Sequence, residues 1–235
     1  MHSTHDIWCR NIQCGHFTGR RDVSLCRNMS SFSRYVIGFS LMLVLSACTL
    51  TADTLHNPIS SARSRATPLH FGVYVTPDNG PITPPEQFIG FHAGTDYEIT
   101  ADELESDVPV FAICSGEIRY SGFTQGYGGL IAQHCTILKE SVTVLYGHLA
   151  LDTLPDLGSA VQAGNKIGLL ASARSNDSGG NRKHLHLGIH RSNSSDFRGY
   201  VQSKQELADY IDPETVLPSF PLFGSTLAPY WQELE

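Results

Sequence analysis

Between Val108 and Ile189 the chain repeats one pattern: short runs of Val, Ile, Leu and Tyr separated by clusters of Gly, Asp, Asn and Ser. That rhythm is the signature of many short strands. It predicts strands over 108–113, 116–121, 129–138, 142–148, 166–171 and 184–190, with a turn at Gly126, Gly128 and Gly129. One helix is predicted over Ser203–Tyr210, where Ser203 and Glu206 have the spacing of a capping box and Pro213 lies beyond the end. No repeat of 20 to 50 residues is present. The expected fold class is therefore mainly β, predominantly antiparallel, with minor helix.

The N-terminal fifth follows different rules. Arg34 precedes an apolar stretch, Tyr35 to Leu45, that suits the core of an export signal and is too short for a membrane span. It ends in Leu45-Ser46-Ala47-Cys48, which resembles the bacterial lipobox, whose Cys is lipidated and becomes the first mature residue. The expected organisation is an upstream extension from a misassigned start over 1–28 and a lipoprotein signal peptide over 29–47. A lipid anchor with a Ser/Thr-rich tether over 48–67, a domain over 68–218 and a C-terminal tail over 219–235 follow. The aromatic residues Phe220, Phe223, Tyr230 and Trp231 are expected to fold the tail back on the domain. This places the protein in a bacterial cell envelope. In a Gram-negative host, Thr49 after the anchor points to the outer membrane, facing the periplasm, by resemblance to the known sorting pattern.

Composition narrows the possible partners. The 235 residues are 41% apolar and 17% charged, as in a globular protein, and no apolar run is long enough for a multispan membrane protein. Sixteen Lys and Arg against 23 Asp and Glu give a formal charge of −7, which excludes a general nucleic-acid binder. Cys114 and Cys135 remain in the exported part, where they either pair across neighbouring strands or stay as buried thiols. An acidic stretch, Asp102, Glu103, Glu105 and Asp107, reads as a solvated loop or as a groove wall that turns acidic peptides away.

Among eleven histidines, three clusters carry candidate chemistry: His92-Ala93-Gly94-Thr95-Asp96, Tyr146-Gly147-His148-Leu149 and His184-Leu185-His186-Leu187. On a strand, His184 and His186 leave one face while Leu185 and Leu187 enter the core. On its own, that pair reads more simply as solvent-facing histidines than as a metal edge. His92 and Asp96, in a turn running into a strand, would add an imidazole and a carboxylate. With His186 they make three zinc ligands and leave a fourth position for water, the arrangement of a catalytic site. His148 and His184 would then be free for proton transfer and oxyanion stabilisation. His190 is too far along the strand from His186 to share an ion and reads as structural or exposed.

These clusters, in this order, resemble the lysostaphin or LytM type of zinc endopeptidase, which cuts peptidoglycan peptides. The resemblance covers roughly Phe71 to Leu217. It implies Zn2+ held by His92, Asp96 and His186, with His148 and His184 as the catalytic histidines. Val110-Phe111-Ala112 with Gly116-Glu117-Ile118, and Tyr127-Gly128-Gly129 to His134, resemble the family's intervening strands. His134 falls where the family often has a histidine that binds no metal, so it is expected to be buried and hydrogen-bonded. The implied fold is a small antiparallel sheet of the duplicated hybrid motif type, whose groove holds the metal on its floor between loop walls. Peptidoglycan peptides are the implied substrate, with the membrane reached through Cys48 and no protein partner specified. Two alternatives remain open: a non-catalytic LytM-type activator of a cell-wall amidase, and an iron oxygenase with two His and one carboxylate.

Overall fold

Alternation along three long strands builds the centre of the molecule. A computed structural model describes residues 54–82 and 87–218. Strands appear in the order β1 (Tyr74–Val75), β2 (Gly90–His92), β3 (Gly94–Glu98), β4 (Pro109–Phe111), β5 (Gly116–Thr124) and β6 (Gly128–Ile137). They continue with β7 (Glu140–Leu149), β8 (Ala160–Val161), β9 (Lys166–Leu169), β10 (His184–Arg191) and β11 (Tyr200–Val201). The six-stranded sheet has the order β3-β10-β7-β6-β5-β8, flanked by a three-stranded sheet, β1-β2-β11, and the pair β4-β9. Every pairing between these strands is antiparallel.

In β10 and β7, Leu185, Leu187, Ile189, Val142, Val144 and Tyr146 are buried in the large core. From β6 the same face receives Ile131, Cys135 and Ile137. One polar side chain, Gln133, also enters it and is satisfied there: its Nε2 donates to the Cys114 carbonyl at 2.7 Å, and its Oε1 accepts from the Tyr146 hydroxyl at 2.7 Å. Such pairing is what makes a buried amide tolerable. The β6–β7 hairpin turns on Leu138 and Lys139, at φ 52° and 70°, the two left-handed residues a two-residue turn of this twist requires. Cys114 and Cys135 are joined, with Cα atoms 6.2 Å apart, fastening the approach to β5 onto β6.

The mainly β class holds among the described residues, and the differences are local. The predicted helix over 203–210 is one short turn, α1 (Lys204–Leu207); Ser203 and Glu206 do cap each other, but Tyr210 leaves to bridge His190. Pro213 does not merely follow a helix. It opens another, α2 (Pro213–Val216), where its missing N–H is no loss.

The tether expected over 48–67 needs correction for its described part, which packs on the domain. Ile59 is 1% exposed and bridges Val110, and Phe111 N–H donates to the Pro58 carbonyl at 2.8 Å. Arg65 reaches Glu103 through both terminal nitrogens at 2.6 and 2.7 Å. Sparse apolar residues, Leu55, Ile59 and Ala62, suffice because a ladder of backbone hydrogen bonds adds to their burial. The upstream extension, the signal peptide, Cys48 and the tail over 219–235 lie outside the described residues.

Candidate metal centre

His92 ends β2, Asp96 sits in β3 and His186 in β10, so three elements converge. The turn expected near Gly94 is a crossover at Ala93, where the chain leaves the three-stranded sheet for the six-stranded one. Register then pairs His186 with Asp96 and His184 with Glu98. Gly94 is required by proximity: a Cβ there would lie 2.7 Å from His186 Cε1 and 2.5 Å from the Leu187 carbonyl oxygen.

Three side-chain atoms form a nearly equilateral triangle. His92 Nε2 is 3.0 Å from His186 Nδ1 and 3.2 Å from Asp96 Oδ1, which is itself 3.0 Å from His186 Nδ1. All three residues are buried, at 0, 2 and 3% exposure for His92, Asp96 and His186. Ligand atoms of a tetrahedral zinc with bonds of about 2.0–2.1 Å lie about 3.3 Å apart, so both the triangle and its nitrogen and oxygen donors fit this ion. Burial pushes the Asp96 carboxyl up, but the charges of His184 and His92 outweigh it and hold the group well below the usual carboxylate range. Burial pushes the His186 imidazole down to about 4, against the pull of Asp96.

His148 reaches this side of the sheet by breaking alternation. Following Val142, Val144 and Tyr146, it would enter the large core. Its φ of 65° and a register slip opposite Gly129 and Leu130 turn it to the other face, after which Leu149 returns to the core. Gly129 permits the slip, since a Cβ there would fall 2.0 Å from the Leu149 carbonyl oxygen. A non-glycine residue in this conformation costs about 1–2 kcal/mol.

The rings of His148 and His184 then lie 4.3 Å apart between centroids. Both take their orientation from one loop: His148 Nδ1 donates to the Ser178 carbonyl at 2.9 Å, and His184 Nδ1 to the Arg182 carbonyl at 3.0 Å. Ser178 is fully buried, and its hydroxyl is tied back to Ser175 and Asn181. Burial, with the adjacent His184, holds the His148 imidazole well below its ordinary value. The site opens into a cleft of about 390 Å3 lined by Asp96, His148, His184, His186 and Tyr127, with Phe88 stacked on Tyr200 as an aromatic wall.

Residues 90–197 match the model for Peptidase family M23. Over this segment the chain is similar to an M23 peptidase domain. Its motifs are those of the lysostaphin or LytM type, and members of family M23 hydrolyse peptidoglycan. Structures similar to the chain include Csd3 of Helicobacter pylori, at 18% identity and TM-score 0.44, covering 72% of this chain and 36% of that one. The cbpa protein of L. salivarius REN matches at 19% identity and TM-score 0.45, covering 71% of this chain and 95% of that one. A zinc-containing peptidase from Vibrio cholerae matches at 18% and 0.42, covering 63% and 41%. The chain thus spans about a third of the length of Csd3. No curated protein matches the sequence.

All five histidines and carboxylates singled out in the sequence, His92, Asp96, His148, His184 and His186, lie within the M23 segment and come together in the structure. His190 and His134 stay apart from them. His190 meets Tyr210 edge to face. His134, expected to be buried, is only half-buried and pairs across the sheet with Glu117, because it sits on the β6 face opposite the large core. The acidic residues 102–107 are not part of the cleft lining; Arg65 grips Glu103, and Lys183 Nζ donates to the carbonyls of Glu103, Leu104 and Ser106 at 2.9, 3.2 and 2.7 Å.

Sequence reasoning missed Tyr127 and Arg182. The Tyr127 hydroxyl lies 3.4 Å from His186 Nε2, and burial raises its pKa well above 10. Arg182 Nη2 donates to Asp96 Oδ2 at 2.8 Å. Position 182 shares the parity of His184 and His186, which is the one sequence signal that could have pointed to it.

Proposed function

We propose that the M23 domain is a zinc-dependent endopeptidase that hydrolyses peptide bonds in peptidoglycan and acts in the bacterial cell envelope, lipid-anchored through Cys48. The triangle of His92 Nε2, Asp96 Oδ1 and His186 Nδ1, with two more imidazoles beside it in an open cleft, carries this reading. His92, Asp96 and His186 would hold the ion. Bound zinc supplies a Lewis acid and a water acidic enough to react at neutral pH.

The proton work belongs to His148 and His184. In each, Nδ1–H is committed to a backbone carbonyl, which fixes the ring and leaves Nε2 as the atom that takes or gives a proton. Burial keeps His148 neutral near pH 7, in the form of a base. As donors, the same two groups would stabilise the oxyanion of the tetrahedral intermediate. An open cleft suits a polymer strand, which must enter from the side.

Mass spectrometry of purified peptidoglycan incubated with the zinc-loaded protein tests the proposal. Newly released stem or bridge peptides are expected, and their masses identify the bond cut. Intact muropeptides after incubation would reject the endopeptidase and favour an amidase activator. Iron in place of zinc in the purified protein would favour the oxygenase. For the anchor, mass spectrometry of the N-terminal peptide should show a lipidated Cys48 as the first residue; an unmodified Cys48, or an intact segment 35–47, would reject it.

A further inference from the structure

We propose that Arg182 is a positioning residue for the metal centre: its guanidinium fork holds Asp96 so that one oxygen, Oδ1, faces the ion, while its main-chain carbonyl holds His184. The inference rests on the metallopeptidase reading above, but its geometry is independent of which bond is cut.

The side chains form a short row across two strands. Positions 182, 184 and 186 alternate onto one face at and before β10, and register sets Glu98 against His184 and Asp96 against His186. Arg182 closes the row. Its Nη2 lies 2.8 Å from Asp96 Oδ2 and 2.6 Å from Glu98 Oε1, and its Nε donates to Glu98 Oε1 at 2.8 Å. Glu98 therefore anchors the guanidinium that anchors Asp96.

A carboxylate can offer one oxygen or both to an ion. Here the oxygens are divided between tasks. Oδ1 belongs to the triangle with His92 and His186, and Oδ2 accepts from Arg182 and lies 3.2 Å from His184 Nε2. Turning Oδ2 toward an ion would break a charge-assisted hydrogen bond to a carboxylate that is 2% exposed. The backbone of the same residue accepts from His184 Nδ1 at 3.0 Å, so one residue sets both a ligand and a proton carrier. A lysine could supply the charge but not a planar fork that spans two carboxylates.

The test compares full-length wild type with R182Q and R182K, using zinc alone as the ligand. Zinc affinity is read by competition with a chromogenic chelator, coordination by the visible spectrum of the Co2+-loaded protein, and catalysis by kcat and KM for peptide release. Outer partners of metal ligands typically matter about 10- to 100-fold for affinity or activity. R182Q is expected to lose zinc affinity by about that factor, to show weaker Co2+ bands as Asp96 offers its second oxygen, and to lose kcat with KM unchanged.

R182K keeps a cation beside buried Asp96 and so guards against misfolding; it should show the same changes to a smaller degree. Wild-type zinc affinity and Co2+ spectrum in folded R182K, or in R182Q, would overturn the proposal. A wild type that binds zinc but releases no peptide rejects the peptidase reading alone, because affinity and spectrum still judge Arg182. A wild type that binds no zinc rejects both.

Discussion

The two faces of β7 and β10 carry opposite chemistry on one backbone. One face is closed by Val142, Val144, Tyr146, Leu185, Leu187 and Ile189, all fully buried. The other, built from the intervening positions of the same strands, carries His184, His186 and Gly147, with His148 brought over by a reversal of the chain. Nothing separates the two environments but the pleat of a strand, which sends alternate residues to opposite sides. Hydrophobic burial can therefore fix the backbone on one side, while histidines on the other are held to within a hydrogen bond of one another without contributing to the apolar core.

Substitutions on the two faces should separate cleanly. The largest effect is expected from H92A, D96A or H186A, each of which should lose bound zinc and peptide release together; zinc analysis beside the release assay checks this. H148A and H184A should keep zinc but lose about 100- to 10,000-fold in kcat, the usual scale of general acid–base help. His134→Ala and His190→Ala serve as controls in the same assays and should retain zinc and most of the activity. Zinc loss in His184→Ala with retention in His186→Ala would reverse the assignment of ligand and proton carrier.

On the opposite face, L187A should cost about 2–5 kcal/mol of stability, as deletions of buried leucine side chains do. Its kcat per folded molecule should match the wild type; chemical denaturation alongside kinetics measures both. Replacing Cys114 and Cys135 together by Ala should cost about 3 kcal/mol through the entropy of a loop with a 21-residue separation, again with zinc retained.

The smallest effect is on the pH response. Burial holds His186 near 4 and His148 well below its ordinary value, so as pH falls below about 6.5 the unfolded chain takes up protons that the folded one refuses. Asp96, held below 3.8 by His184 and His92 against burial, acts in the same direction at lower pH. The melting temperature of the metal-free protein should therefore fall from pH 6.5 toward 4. A flat or rising profile would show that the histidine face is not closed to water in the way described.

What could be read in the sequence follows from the same division. His-Leu-His-Leu declares a strand with one polar and one apolar side, so β10, the mainly β class and the three histidine clusters were legible; that the polar side is buried was not. The short strands β1, β2, β8 and β11 were not, because two or three residues carry no period and owe their conformation to a partner. Ile59 and Arg65 were hidden for a related reason: their burial depends on Val110 and Glu103, which are distant in sequence. Arg182 and Tyr127 gain meaning only once register sets them beside Asp96 and His186. The choice between a bridge and free thiols at Cys114 and Cys135 likewise required the distance between their strands.

The left-handed backbone at His148 sets chemistry against durability. Glycine adopts a φ of 65° without steric penalty and would suit the backbone there better than any L side chain. His148→Gly should therefore relieve about 1–2 kcal/mol of conformational strain, while removing a group on which turnover is proposed to depend. A screen that selected this domain for relief of backbone strain alone would be drawn toward that substitution, and would discard the proposed proton carrier along with its bond to Ser178. Stabilising the domain while keeping that imidazole means working on the apolar side of the sheet and leaving the reversed residue in place.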